Sequence, residues 1–199
     1  IPMLVAGLWD AWEDILRHNV AAMKARGVKT VVTSCPACWL VWHTLYPEWA
    51  KKLGIDYDFE TKHYAEILAD KIDAGIFHLD REVNMTVTWH DSCHMGRAGQ
   101  IYEAPRKLIQ AIPGIEFVEM EHNRQEAHCC GSVLSLVADP DVGVRVGDVR
   151  LREAEDAGAD FVLSGSAAAD ISEGSSSSSS EISQTASTYE NGSSEVTDR

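Results

Sequence analysis

Apolar positions in this chain recur at two different periods. Across residues 10–26, Ala11, Ile15, Leu16, Val20 and Met23 return near the helical spacing and Gly27 ends the run, which predicts an amphipathic helix. Residues 30–33 are a short β-branched run that reads as a buried strand. A helix is predicted from Pro36, a residue suited to a first helical turn. Residues 55–59 alternate as a strand, and 64–72 follow with helical spacing. At 85–89, Thr86 and Thr88 alternate with Val87 and Trp89, a further strand. A helix at 105–112 stops at Pro113-Gly114, and 115–120 is a strand. Residues 141–157 form a helix and 160–163 the last strand. Helices and strands in alternation predict an α/β fold with mainly parallel pairing.

The pattern also repeats. The segment 27–38, from Gly27-Val28-Lys29 to Cys35-Pro36-Ala37-Cys38, matches 158–169 at a constant offset of 131 residues without a gap. Each copy has a helix-ending glycine, a strand, a small polar pair and a four-residue site, and each follows an amphipathic helix. Repeats fix architecture, so two pseudo-repeated α/β lobes are expected: residues 1–80 and residues 81–169. The same offset sets Ser132, which follows Cys129-Cys130-Gly131, against Ile1. The first lobe is therefore expected to lack its N-terminal part, including its own Cys-Cys-Gly. In the second lobe, Ser166 and Ala169 stand where the first has Cys35 and Cys38.

Composition changes after residue 169. Residues 170–199 contain a serine run, Ser175 to Ser180, and few large apolar side chains, and they carry −5 of the formal −14, leaving −9 on residues 1–169. Such a segment cannot bury enough apolar area to offset its chain entropy, so a disordered Ser-rich acidic tail is expected. The 45 % apolar fraction excludes whole-chain disorder. The acidic balance argues against a nucleic-acid partner, which needs clustered Lys and Arg. No apolar run reaches the roughly 18 residues of a membrane span, so no direct membrane insertion is expected. No secretory leader is recognisable. The expected location is cytoplasmic, or peripheral to a membrane-bound complex.

The chemistry lies in five cysteines: Cys35, Cys38, Cys93, Cys129 and Cys130. An odd number without a secretory signal argues against a disulfide framework. Cys35 ends a strand and Cys38 enters the first helical turn, where backbone N–H groups favour thiolates, as a soft metal requires. Cys93 also follows a strand, at the carboxyl end where open α/β sheets place their sites. Cys129 and Cys130 would face opposite ways in a strand; in a turn relaxed by Gly131 both can approach one cluster.

Cys93, a 35-residue spacer and Cys129-Cys130-Gly131 resemble the cysteine-rich "CCG" domain. In that family a Cys, a spacer, Cys-Cys-Gly, a second spacer and Cys-x-x-Cys form one motif. Supporting context is His90-Asp91-Ser92-Cys93-His94-Met95-Gly96-Arg97, Tyr102-Glu103-Ala104-Pro105-Arg106, Ile112-Pro113-Gly114 and Glu119-Met120-Glu121-His122-Asn123-Arg124. The chain is similar in this way to heterodisulfide reductase subunits of the B and D types. It is also similar to the iron–sulfur subunits of glycolate oxidase and anaerobic glycerol-3-phosphate dehydrogenase. The resemblance covers residues 1–169. It implies two α/β lobes and cysteine-ligated [4Fe–4S] clusters passing electrons to a disulfide or quinone-type acceptor. It further implies partner subunits of ferredoxin or flavoprotein type. Carried over by position, the cofactor ligands are Cys35 and Cys38 in the first lobe and Cys93, Cys129 and Cys130 in the second. Neither lobe has a complete motif, and alanine at 169 cannot ligate.

Competing readings attach to the same residues. One is a non-catalytic scaffold module whose degenerate motif binds zinc or nothing. Another is thioredoxin-like thiol exchange at Cys35 and Cys38. His90 and His94 flank Cys93 and are candidates for proton delivery or metal ligation, against the plainer reading that one caps the loop. His122 and His128 read as loop or surface residues. Arg97 and Arg106 are expected to pair with local acids rather than with substrate. Trp9, Trp12, Trp39, Trp42 and Trp49 are expected to pack in the core, with a partner-subunit face as the alternative.

Overall fold

The computed structural model describes residues 1–137 and 139–165. The expectations for Ser166, Ala169 and the segment 170–199 lie outside them. The first half runs α1 (Pro2–Val5), α2 (Trp9–Ala25), β1 (Thr30–Thr33), α3 (Pro36–Leu40), a π-helical turn (Val41–Leu45), α4 (Tyr46–Leu53), β2 (Glu60–His63) and α5 (Tyr64–Asp73). The second runs β3 (Met85–His90), a second π-helical turn (Cys93–Arg97), α6 (Glu103–Gln110), β4 (Ile115–Phe117), a 3₁₀ turn (Arg124–Glu126), α7 (Ser132–Val137), α8 (Pro140–Asp156) and β5 (Phe161–Ser164). The fold is α/β with two small parallel sheets, β1-β2 and β4-β3-β5.

The repeat is visible in the element bounds and in the way both helices end. Adding 131 to the bounds of α2 and β1 gives the bounds of α8 and β5. Both helices stop the same way. Gly27 and Gly158 have φ of +67° and +75°. Val28 N–H bonds to Met23 O at 3.2 Å, and Ala159 N–H bonds to Ala154 O at 3.1 Å. A glycine in the left-handed region lets the chain fold back and satisfy the last helical carbonyls.

Two apolar clusters support the sheets. Trp12, Leu16, Val20 and Tyr46 form the first, where the helical spacing of α2 buries one face. Trp12 meets Tyr46 at 5.2 Å between ring centroids, and Trp9 stacks on Trp49 at 5.7 Å. Trp39 crosses over: it packs with Val87, Trp89, Met95, Ile101 and Ile109 of the second half. Core packing thus accounts for most of the tryptophans, although Trp9 stays half exposed.

The predicted strand at 55–59 is displaced. Ile55, Tyr57 and Phe59 use their alternation to pack on the first cluster, while Asp56 and Asp58 turn outward to Lys24 and Lys29. Pairing with β1 begins only where Glu60 N–H reaches Lys29 O at 2.9 Å, so β2 occupies the next four residues. Strand β4 is also shorter than the predicted 115–120: its last link to β3 is Val118 N–H on Val87 O at 2.9 Å, after the paired residues Ile115–Phe117.

Candidate functional site

All five thiols lie at or just beyond the carboxyl ends of strands, or in the loop that returns to them. Cys35 leaves β1 in extended conformation and caps α3, its carbonyl accepting from Trp39 N–H at 2.9 Å. Cys38 sits one turn on, beside Cys35. Its thiol is pushed up from the ordinary value by desolvation on its inner side and by the neighbouring Cys35. The expectation that a helix start lowers this thiol is therefore corrected. The helical run continues from α3 through the π-helical turn into α4, but local desolvation at Cys38 outweighs the dipole at its start. Beside this pair, His63 ends β2 in register with Thr33 and is buried. Burial holds it below its usual pKa.

In the second half, β3 delivers His90, Asp91, Ser92 and Cys93 in succession. Asp91 is the anchor. Its carboxylate accepts two hydrogen bonds from Arg106, at 2.8 and 2.6 Å, and one from Arg124 N–H at 2.7 Å. Arg106 also reaches Glu119 at 2.7 and 3.0 Å. Burial alone would lower the guanidinium's pKa, but Asp91 and Glu119 carry it above the ordinary arginine range. Beyond the anchor, Ser92 Oγ accepts from Met95 N–H at 3.5 Å and opens the π-helical turn at Cys93. Such wide turns recur at functional sites. This turn packs beside α3, bringing the Cys93 loop next to the helix that bears Cys38.

The Cys-Cys-Gly loop closes on the same end. Gly131 has φ of +81°, and a Cβ there would lie 2.1 Å from Gly143 O. Only glycine allows the loop to meet α8 this closely. Gly131 N–H lies 3.3 Å from Cys129 Sγ, and Ser132 Oγ lies 3.4 Å from Cys130 Sγ. Cys93 is pushed up by burial first and then by the charges of Cys129 and Cys130, so the three thiols lie within electrostatic reach of one another.

Cys130 goes the other way. A hydrogen bond from His90, aided by Ser132, lowers its pKa to about 6 despite burial. Arg150 explains the orientation of His90. Its Nε donates to His90 Nδ1 at 3.1 Å. Because arginine keeps its protons, Nδ1 must accept, and Nε2 carries the proton that faces the thiolate; this tautomer is assigned from the network. Arg150 is itself held by Glu153 and by the His122 carbonyl, each at 2.6 Å.

The flanking residues sort out as follows. His90 has both ring nitrogens engaged, which fits positioning rather than proton delivery. His94 is half-buried, and desolvation lowers its pKa. Arg106 pairs with acids as expected. Arg97 instead donates to the carbonyls of Gln125 and Ala127, at 3.2 and 2.8 Å, tying the Cys93 turn to the loop before Cys129. Sequence reasoning missed His63, Arg150 and Glu153. Arg150 and Glu153 read as one more polar face on a charged helix, and no local signal marks them.

Comparison with known proteins gives the family. The family described as "Cysteine-rich domain" (CCG) matches residues 2–41 and 87–168. The D-type chain of the dihydromethanophenazine:CoB–CoM heterodisulfide reductase of Methanosarcina barkeri is 35 % identical over 156 residues, 78 % of this chain and 37 % of that protein. The B-type chain of the fumarate reductase (CoM/CoB) of Methanothermobacter marburgensis is 37 % identical over 131 residues, 66 % of this chain and 24 % of its own length. The probable iron–sulfur-binding oxidoreductase FadF of Bacillus subtilis is 29 % identical over 144 residues, 72 % of this chain and 20 % of the relative. The chain therefore spans little more than a third of these relatives, or less.

Proposed function

The chain belongs to the cysteine-rich CCG-domain family of heterodisulfide reductase-like iron–sulfur proteins, and on that premise we propose that its cysteines hold a [4Fe–4S] cluster that relays electrons to a disulfide or similar acceptor. Cys93, Cys129 and Cys130 are the ligands assigned in the second half, with Cys35 and Cys38 in the first.

The donor set fits such a group. Thiolates suit iron–sulfur clusters, and all five cysteines are free. The observation that carries the reading is that Arg97 ties the Cys93 turn to the loop leading into Cys129 and Cys130, so the three thiols of one motif gather at one end of the fold. When bound, the cluster supplies one-electron chemistry.

The protein's own residues would tune that chemistry. The N–H of His90 on Cys130, and the Ser132 hydroxyl beside it, place positive dipoles on one sulfur. Hydrogen bonds to sulfur are a recognised lever on reduction potential. Arg150 fixes the His90 ring, and Asp91 with Arg106 fixes the loop that carries Cys93. Relatives are named as subunits of redox complexes. We assign this chain partners of ferredoxin or flavoprotein type in the cytoplasm. No helix among the described residues is long and apolar enough to cross a membrane. The test is anaerobic reconstitution with iron and sulfide, followed by metal and acid-labile sulfide analysis. Iron and sulfide in cluster ratio support the reading; a colourless protein that takes up no iron or sulfide and holds zinc on its cysteine thiols overturns it.

A further inference from the structure

A second set of metal-ligating side chains stands behind the cysteines and does not include them. His122 lies in the segment after β4, His128 immediately precedes Cys129, and Glu153 projects from the last turn of α8. Glu153 Oε1 is 2.6 Å from His122 Nδ1 and 2.8 Å from His128 Nδ1. The two imidazoles stack at 4.2 Å between centroids. All three ligand atoms fall within 4.8 Å of one another, a convergence that no other trio of His, Cys, Asp or Glu achieves among the described residues.

Ordinary hydrogen bonding leaves this cluster unfinished. His122 Nδ1 makes a hydrogen bond to Glu153 Oε1. His128 Nδ1 sits in contact with the same oxygen but makes no hydrogen bond, although the atom is buried. One carboxylate oxygen therefore faces two ring nitrogens, and only His122 meets it in hydrogen-bond geometry. One cation accepting a lone pair from each of the three atoms would satisfy both nitrogens together. The carboxylate is ready for it: burial works against ionisation, but Arg150 and His122 hold Glu153 below the usual carboxylate range. Arg150 binds the other oxygen, Oε2, at 2.6 Å, so Oε1 faces only the two imidazoles that would share the ion with it. His128 also lines a surface cavity with Cys129, Val142, Arg145, Val146 and Val149, which brings solvent to one side of its ring.

We propose that His122, His128 and Glu153 form a site for a divalent cation of the zinc class, with water as fourth ligand. Two imidazoles and one carboxylate are a recurrent zinc donor set. Tetrahedral coordination at about 2.0–2.1 Å needs ligand atoms roughly 3.3 Å apart, so the side chains need open only slightly. The ion staples the segment before Cys129 and Cys130 onto α8. It therefore adds to the hold that Arg97 already has on this loop through the Gln125 and Ala127 carbonyls. The site uses no cysteine and stands independently of the proposed cluster.

The test titrates the ¹⁵N-labelled chain anaerobically with Zn²⁺ and follows the histidine ring nitrogens. The His122 and His128 Nδ1 signals should shift together with one equivalent, and should still do so when Cys93, Cys129 and Cys130 are all replaced by serine. Glu153→Gln should weaken this binding by at least about tenfold. Should that variant unfold because Arg150 loses its partner, His128→Gln, at a more exposed position, should give the same loss with unchanged circular dichroism. Zinc binding that leaves both rings unshifted, that vanishes with the cysteines, or that is as tight in folded His128→Gln overturns the proposal.

Discussion

Arg150 Nε donates to His90 Nδ1 across 3.1 Å, joining α8 to the carboxyl end of β3. These residues stand 60 positions apart, and their contact decides which proton faces Cys130. The consequence is a thiol whose pKa falls to about 6 beside a Cys93 thiol that burial pushes up. The two halves of one motif are thus electronically unequal before any cofactor binds.

Thiolate absorbance of the metal-free, anaerobic chain should report that inequality. One midpoint near 6 is expected for Cys130, rising towards the unperturbed thiol value of 9.0 in His90→Phe. The sign for stability follows. The folded value lies below the unfolded one, so the thiolate stabilises the fold fully above the unfolded pKa of 9.0 and loses this as pH falls through about 6. The stability difference between the parent and Cys130→Ser should shrink across that window. An unchanged midpoint in His90→Phe contradicts the account.

Asp91 and Arg106 have side chains only 1 % and 3 % exposed. Removing one partner strands a buried charge, so Asp91→Ala or Arg106→Met should each cost about 3–5 kcal/mol in denaturant unfolding. A cost below about 1 kcal/mol would mean that the pair does not anchor the Cys93 loop.

Gly131→Ala should be worse than its one added methyl suggests. It combines a φ of +81° with a Cβ placed 2.1 Å from Gly143 O. The loop must move away from α8, so a loss of stability above about 2 kcal/mol is expected, together with a higher Cys130 pKa. Wild-type values for both would contradict the close approach.

The duplicated helix stops allow a matched comparison. At Gly27 and Gly158 nothing lies within 4 Å of an added Cβ, and both φ angles are positive. Alanine at either position should therefore cost a similar backbone-only penalty, about 1–2 kcal/mol. Calorimetry on the two variants checks it; a large inequality means that the repeats differ where the backbone does not.

The legible part of this molecule was local. Helical spacing at Leu16 and Val20, the β-branched run at 30–33 and the glycines that end two helices are written in neighbouring residues, so elements and repeat could be read directly. The alternation of Ile55, Tyr57 and Phe59 predicts a strand but marks only a buried face, with pairing starting at Glu60, since burial and pairing leave the same signature. The cysteines were legible because their spacing is chemically distinctive. Arg150, Glu153 and His63 were not, because their partners are assembled by tertiary packing across tens of residues. The direction of the Cys38 shift was missed for a similar reason: desolvation depends on what packs around the thiol, whereas a helix start shows in the sequence.

The central claim is that Cys93, Cys129 and Cys130 grip iron and sulfide together. The most direct measurement is the iron and acid-labile sulfide content, with visible absorption, of anaerobically reconstituted wild-type chain beside Cys93→Ser and Cys130→Ser. The account predicts equal iron and sulfide in the coloured wild type, and loss of both from the second-half site when either cysteine is replaced. Undiminished iron in both variants, or a colourless wild type holding only zinc on its thiols, would contradict it.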